Sequence, residues 1–180
     1  MKGLNFVLKP FPSDSLPPHL EIIGNISRVF NTLNLSYVLS GSLAELVIPV
    51  PADMPARRNA LWKETCFEFF LALKGSNQYW EFNLSPAGHW NVFSFKSYRH
   101  GMKEEPSFTS LPFMVRRETE ILRLSLKLDL PEIIPADQTL NVAISSVIKT
   151  QNGEMIHCAL THPGTRADFH RRDSFILELK

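Results

Sequence analysis

Cysteine is scarce, charge is balanced and no long apolar run exists, and each shortage closes off a class of protein. Only two cysteines occur, Cys66 and Cys158. They lie far apart in apolar surroundings, which reads as two buried free thiols, and neither carries the local signature of a thiol nucleophile. Nineteen Lys plus Arg against eighteen Asp plus Glu give a formal charge of +1. Without a strong field to gather phosphates or anionic headgroups, neither nucleic acid nor a membrane is an expected partner. No window approaches the roughly 20 apolar residues that a spanning helix needs. The N-terminal apolar run from Leu4 to Leu8 is interrupted by Asn5 and ended by Lys9 and Pro10. That is too short for the apolar region of a signal peptide, so a cytoplasmic location is expected.

Catalytic signatures are missing as well. There is no G-x-S-x-G elbow, phosphate-binding Gly-rich loop, dinucleotide fingerprint or CxxC pair, so no mechanism with a named nucleophile can be built. No internal repeat, low-complexity segment or linker marks a second domain.

What the chain does have is apolar bulk and proline. Its 180 residues are 44% hydrophobic and include 13 Phe, 3 Trp and 3 Tyr, ample material for one packed core. Thirteen prolines spread along the length argue against long helices, because each removes a helix hydrogen bond and restricts its predecessor. Strands are predicted over 20–30, 35–48, 65–73, 79–85, 91–95, 113–117, 121–128, 139–150, 154–161 and 174–179. Several alternate with period two: Leu122, Leu124, Leu126 and Leu128 point one way, Arg123, Ser125 and Lys127 the other. Asn152-Gly153 between two such runs predicts a tight hairpin in which both residues take positive φ. Surface loops are expected at 49–55 and 104–112, and short helical pieces at 17–20 and 131–134. Such a succession of strands predicts an all-β fold, an antiparallel β-sandwich of jelly-roll type.

The informative segment is LWKETCFEFF. Extended, it puts Phe67, Phe69, Leu71 and Leu73 on one face and Trp62, Glu64, Cys66 and Glu68 on the other. In YWEFNLSP, Trp80, Phe82 and Leu84 form the apolar face, with Tyr79, Glu81 and Asn83 opposite. Were these strands neighbours, Glu68, Glu81 and Asn83 would line a polar face with Trp62 at its rim. Carboxylates and amides suit sugar hydroxyls, and indole suits the apolar face of a sugar ring. The alternative reading is plainer: Trp62 caps the core, and Glu81 and Asn83 are the solvated side of a sheet.

A second polar cluster, THPGTRADFHRRDSF, brings His162, Asp168 and His170 into a loop before the last strand. Asp168 and His170 are candidates for an acid-base pair, or with His162 for a metal site. A loop stapled by Asp-Arg pairs and Asx turns explains the same residues. Trp90, Arg99 and His100, in SPAGHWNVFSFKSYRHGM, are further candidates, although Ser85-Pro86 and Gly88 also describe a simple turn.

Taken together, LWKETCFEFF, YWEFNLSPAGHWNVFSFKSYRHGM and ALTHPGTRADFHRRDSF resemble the bacterial DOMON-like family, related to family 9 carbohydrate-binding modules. The resemblance covers nearly the whole chain. It implies an antiparallel β-sandwich that binds a sugar-like small molecule or, in some DOMON relatives, haem. It also implies that Trp62 and Glu68 contact the ligand, with Glu81 and Asn83 near a further polar contact. The C-terminal loop has no second Trp, leaving Phe169 or His170 to take that place. Three functions follow. The first is non-catalytic binding of a carbohydrate or sugar-containing metabolite, with no cofactor. The second is haem binding through Met102 or Met114 with His89, His100, His157 or His162. The third is hydrolysis using Glu68 with Glu81, or Asp168 with His170.

Overall fold

The computed structural model describes residues 3–17 and 19–180. Twelve strands are found among them: β1 (Leu4–Pro10), β2 (Glu21–Val29), β3 (Thr32–Ser40), β4 (Cys66–Leu73), β5 (Tyr79–Leu84), β6 (Trp90–Phe95), β7 (Lys103–Glu104), β8 (Phe113–Arg117), β9 (Ile121–Asp129), β10 (Leu140–Lys149), β11 (Met155–Ala159) and β12 (Leu177–Leu179). All strand pairings are antiparallel, and they run in the order β7-β6-β5-β4-β10-β11-β1-β2-β3-β9-β8, with β12 on β10. The predicted β-sandwich is what forms. β1 joins its two layers, since Leu4 to Leu8 pair with β2 while Lys9 and Pro10 pair with β11.

The layers differ in how their strands are patterned. In the layer β1-β2-β3-β9-β8, alternation is clean: Leu33, Leu35, Tyr37 and Leu39 of β3 and Leu122 to Leu128 of β9 are buried on one face only. In the other layer β5 and β6 are buried at every residue, and β4 at all but its last. That layer is therefore covered twice. Its inner face, with Phe67, Phe69, Leu71, Trp80, Phe82 and Leu84, packs into the core between the layers, where Phe69 and Phe82 stack at 4.3 Å. Its outer face carries Phe70, Ala72, Tyr79, Phe93, Phe95 and Ala143, covered by Phe175 and the chain leading to β12.

Several boundaries depart from expectation. β1 was not foreseen; its Phe6 and Leu8 are buried and Asn5 and Val7 exposed, an alternation hidden within a short run. The single strand expected over 35–48 stops at Ser40. Gly41 takes φ 121, which an L side chain rarely adopts, and a 3₁₀ turn follows at Leu43–Glu45. The last predicted strand shrinks to Leu177–Leu179 behind a 3₁₀ turn at Arg172–Ser174. The expected helical piece at 131–134 is a turn closed by Ile134 N–H to Pro131 O. At 17–20, where Pro18 lies outside the described residues, Leu20 N–H bonds Pro17 O. The hairpin at 151–153 forms between β10 and β11, but Gly153 alone takes positive φ, at 89°. Its Gly153 N–H to Thr150 O bond marks a three-residue loop with glycine at the left-handed position. No helix among the described residues is long and apolar enough to cross a membrane. Cys66 and Cys158 are both buried free thiols.

Candidate functional site

The twice-covered layer sets out the site through its register. Glu68 of β4 stands opposite Asn83 of β5 and Ser145 of β10, and Phe70 opposite Glu81. With two residues per pleat, Glu68 and Glu81 therefore share the outer face as diagonal neighbours. Trp62 reaches the same place by another route. Rather than extending β4, residues Leu61–Lys63 form a 3₁₀ turn entered through Ala60 at φ 60. This turn leaves Trp62 half-buried on the outer face, its ring edge-on to Phe93 at 5.9 Å.

A hollow of about 330 Å³ opens here, lined by Trp62, Glu68, Glu81, Phe95, Arg99, Met102, Val147, His157 and the segment from Ala167 to His170. A larger depression, about 500 Å³, lies on the opposite layer around Asn25, Asn34, Ser36 and Lys127. None of its polar side chains is buried, so water already satisfies them, whereas the smaller hollow contains buried carboxyl groups.

Those carboxyls define the site's electrostatics. Glu68 is 3% exposed and Glu81 5%, which overturns the reading of Glu81 and Asn83 as a solvated sheet face. Burial pushes the Glu68 carboxyl well above the usual carboxylate range, and the neighbouring Glu81 charge adds to the rise. Ser145 is the one group that favours its ionised form. Even so, Glu68 Oε1 and Ser145 Oγ make no hydrogen bond of standard geometry. Burial likewise lifts Glu81 to about 7, against the opposing effects of Asn83, whose Nδ2 donates to Oε1 at 2.8 Å, and of Arg99. Cys66, beside Glu68, has its thiol pushed well up by burial, which leaves it protonated and inert.

The loop from 164 to 171 closes one side. Asp168 accepts from the Arg99 guanidinium at 2.8 Å, from Tyr98 Oη, and from the His170 backbone N–H at 3.1 Å. Although burial pulls its carboxyl up, the Tyr98 and Arg99 hydrogen bonds hold it below its ordinary value. His170 packs against Phe70, Tyr79 and Phe95, and its burial, with Arg99 nearby, brings it down to about 4. It is neutral at pH 7, so its 3.7 Å approach to Glu81 Oε2 is not an ion pair. Tyr79 Oη accepts the Arg99 N–H at 3.1 Å and meets His170 Nδ1 at 2.9 Å. A Tyr79→Phe variant leaves both groups unpaired and is expected to lose about 1 to 3 kcal/mol. Urea denaturation reads that loss, and hydrogen exchange across 164–171 should quicken with it.

The structure thus brings Trp62, Glu68, Glu81, Arg99, Asp168 and His170 to one hollow. Asn83 lies behind it, fully buried and bonded to Glu81. Trp90 does not reach it. That ring belongs to the inter-layer core, with the Arg57 guanidinium 4.5 Å over its face. His162 is also elsewhere, its Nε2 at 2.8 Å from Lys9 O. Asp168 meets His170 only through the backbone, so the acid-base pair expected of them is not formed, and no cluster among the described residues could hold a metal ion. Of the candidate haem ligands only Met102 and His157 face the hollow. His89 Nδ1 takes the Ala56 N–H, and Met114 is exposed on the other layer.

Phe95, Val147 and Ala167 line the hollow without having been foreseen. Phe95 was within reach of sequence reading, since it alternates with Ser94 and pairs with Tyr79 across the short Ser85 to His89 connection. Val147 was not, because β10 meets β4 only through a long-range pairing.

No protein-family profile matches the chain, and no curated protein matches it. Solved structures do. A protein of Bacteroides uniformis to which carbohydrate binding is ascribed superimposes with a TM-score of 0.70 at 14% identity, over 98% of this chain and 85% of that one. A family 9 carbohydrate-binding module of Caldicellulosiruptor kristjanssonii in complex with glucose gives 0.54 at 9%, over 92% and 78%. A family 9 module of the same organism with cellotriose gives 0.58 at 8%, over 99% and 82%. At these identities the likeness shows a shared fold.

Proposed function

We propose that this chain is a non-catalytic binding domain that takes a carbohydrate or sugar-containing metabolite in the hollow between Trp62, Glu68, Glu81 and the loop from Ala167 to His170. One observation carries the reading. The Glu68 carboxyl lines a hollow walled by Trp62 and Phe95, and its buried Oε1 has no partner. A buried acceptor without a partner is costly, and a ligand hydroxyl or amine satisfies it. Phe169, on the loop, supplies a second aromatic in place of the missing C-terminal Trp. Sugar complexes formed by the structural neighbours support the reading through their fold.

Tryptophan fluorescence tests it. Trp80 and Trp90 are 1% and 7% exposed on the inner face, so a binding response reports on the half-buried Trp62. Titration with neutral and substituted monosaccharides is expected to give dissociation constants of about 1 μM to 1 mM. Trp62→Ala should weaken binding at least about tenfold, since stacking contributes more than 1 kcal/mol. A flat response to every sugar, or unchanged binding by Trp62→Ala followed calorimetrically, would falsify the assignment.

A further inference from the structure

On the reading that the hollow takes a sugar, we infer that the sugar carries a protonated amine, seated between the carboxyl groups of Glu68 and Glu81. Three acidic side chains, Glu68, Glu81 and Asp168, face the hollow, against one arginine. That arginine, Arg99, is committed to Asp168 at 2.8 Å. Glu81 feels the Arg99 charge, but neither glutamate is hydrogen-bonded to a cation. They are diagonal neighbours across β4 and β5, a relation that sets side chains about 7 to 8 Å apart at their roots and lets both carboxyls converge on one small group.

A hydroxyl offers one donor and no charge to favour ionisation of the two buried carboxyls. An ammonium offers three donors and a full positive charge, enough for the carboxyl groups of Glu68 and Glu81 together. Trp62 and Phe95 supply aromatic walls, against which a cation is further stabilised. Other polar groups surround this seat. Asn83 and Cys66 flank the pair on β5 and β4, and Tyr37 from the opposite layer bonds the Glu68 backbone oxygen. Neutral His170 closes the loop side, and His157 at the rim is bonded to Asp14.

Protons follow the cation. In the free protein, burial raises both carboxyls, Glu68 well above the usual range and Glu81 to about 7. An ammonium favours the carboxylate, so binding releases protons, and affinity rises with pH through about 7 while the amine stays protonated.

Calorimetric titration of the whole chain with glucosamine, galactosamine and mannosamine, beside glucose, galactose and mannose, separates the possibilities. Performed in two buffers of different ionisation enthalpy, it also counts protons. At least one amino sugar should bind about tenfold or more tighter than its neutral parent near pH 7, with about one proton released per ligand. Glu81→Gln and Glu68→Gln should each cut the preference severalfold, read as the ratio of amino-sugar to neutral-sugar affinity within the same variant. Equal binding of amino and neutral sugars with no proton release overturns the inference and leaves the sugar reading standing. Failure of every sugar in both sets removes both.

Discussion

Arg28→Leu is expected to destabilise the fold by about 3 to 5 kcal/mol, the cost of breaking a buried charged hydrogen-bond cluster from one side. Arg28 sits on β2 and is 1% exposed. Its Nε donates to Phe30 O at 2.9 Å, Nη1 to Gln138 O at 2.6 Å and Nη2 to Pro135 O at 2.7 Å. One guanidinium thereby fixes the turn between β2 and β3 to the segment leading into β10. Phe30 in that turn has φ 53, a conformation that bulky residues seldom adopt, so its carbonyl needs holding. Leucine fills part of the volume but leaves three carbonyls without these donors. For a chain of this size the midpoint of thermal unfolding should fall by on the order of 10 °C. Arg28→Lys should lie between, because an ammonium lacks the planar fork that reaches three acceptors at once. Thermal and urea unfolding of the three proteins checks the order, and a loss below about 1 kcal/mol in Arg28→Leu would mean that water replaces the guanidinium.

Glu81→Gln is expected to stabilise the protein by about 3 kcal/mol at pH 8 and to leave it nearly unchanged at pH 4. Holding this carboxyl at about 7 in the folded state rather than 4.5 corresponds to roughly 1.4 kcal/mol for each pH unit between them. The sign follows from the direction. A carboxyl raised by folding binds its proton more tightly in the native state. Its contribution is therefore intact below the unfolded value and is lost as pH climbs through the folded one. His170 works the other way: lowered to about 4 by burial, it costs stability as pH falls below about 6.5. Between pH 4 and 7 the His170 trend therefore opposes that of the two buried glutamates. Glu68, raised by burial in the same direction as Glu81, is common to both proteins, so the difference between their profiles reads chiefly Glu81, with the variant gaining on the native protein as pH climbs from about 4.5 to 7. Removal of the Glu81 charge also lowers the Glu68 carboxyl somewhat, although burial, the larger cause of its rise, remains. Urea unfolding at several pH values measures this, and parallel profiles for the two proteins would contradict it. A gain in stability joined to a loss of ligand is the signature of a residue kept for binding at a cost to the fold.

Much of the sandwich was legible because its strands speak in period two. The inner-face residues Phe67, Phe69, Leu71, Trp80, Phe82 and Leu84 are the ones alternation assigned to the core. Alternation also placed Glu68, Glu81 and Asn83 together opposite them. What it could not show is that their face is covered, because a polar residue in a strand looks the same whether it meets water or a loop. Coverage is made by Phe169, His170 and Phe175, residues about 90 positions further along the chain. Trp62 illustrates the same gap. Its spacing from Glu68 suggested one extended strand, yet Ala60 in the left-handed region turns the chain and delivers the indole from the side.

The sequence by itself determined most of the strands, the two-faced pattern of β4 and β5, and the lack of a known catalytic motif. These are local properties, since the direction of a side chain in a strand depends on its nearest neighbours alone. Only the tertiary structure decided that Glu68 and Glu81 are buried together, that Asp168 is bound to Arg99 instead of the His170 ring, and that Trp90 serves the core. Desolvation and pairing depend on what the rest of the chain brings within a few ångströms, and that distance is set by folding rather than by spacing.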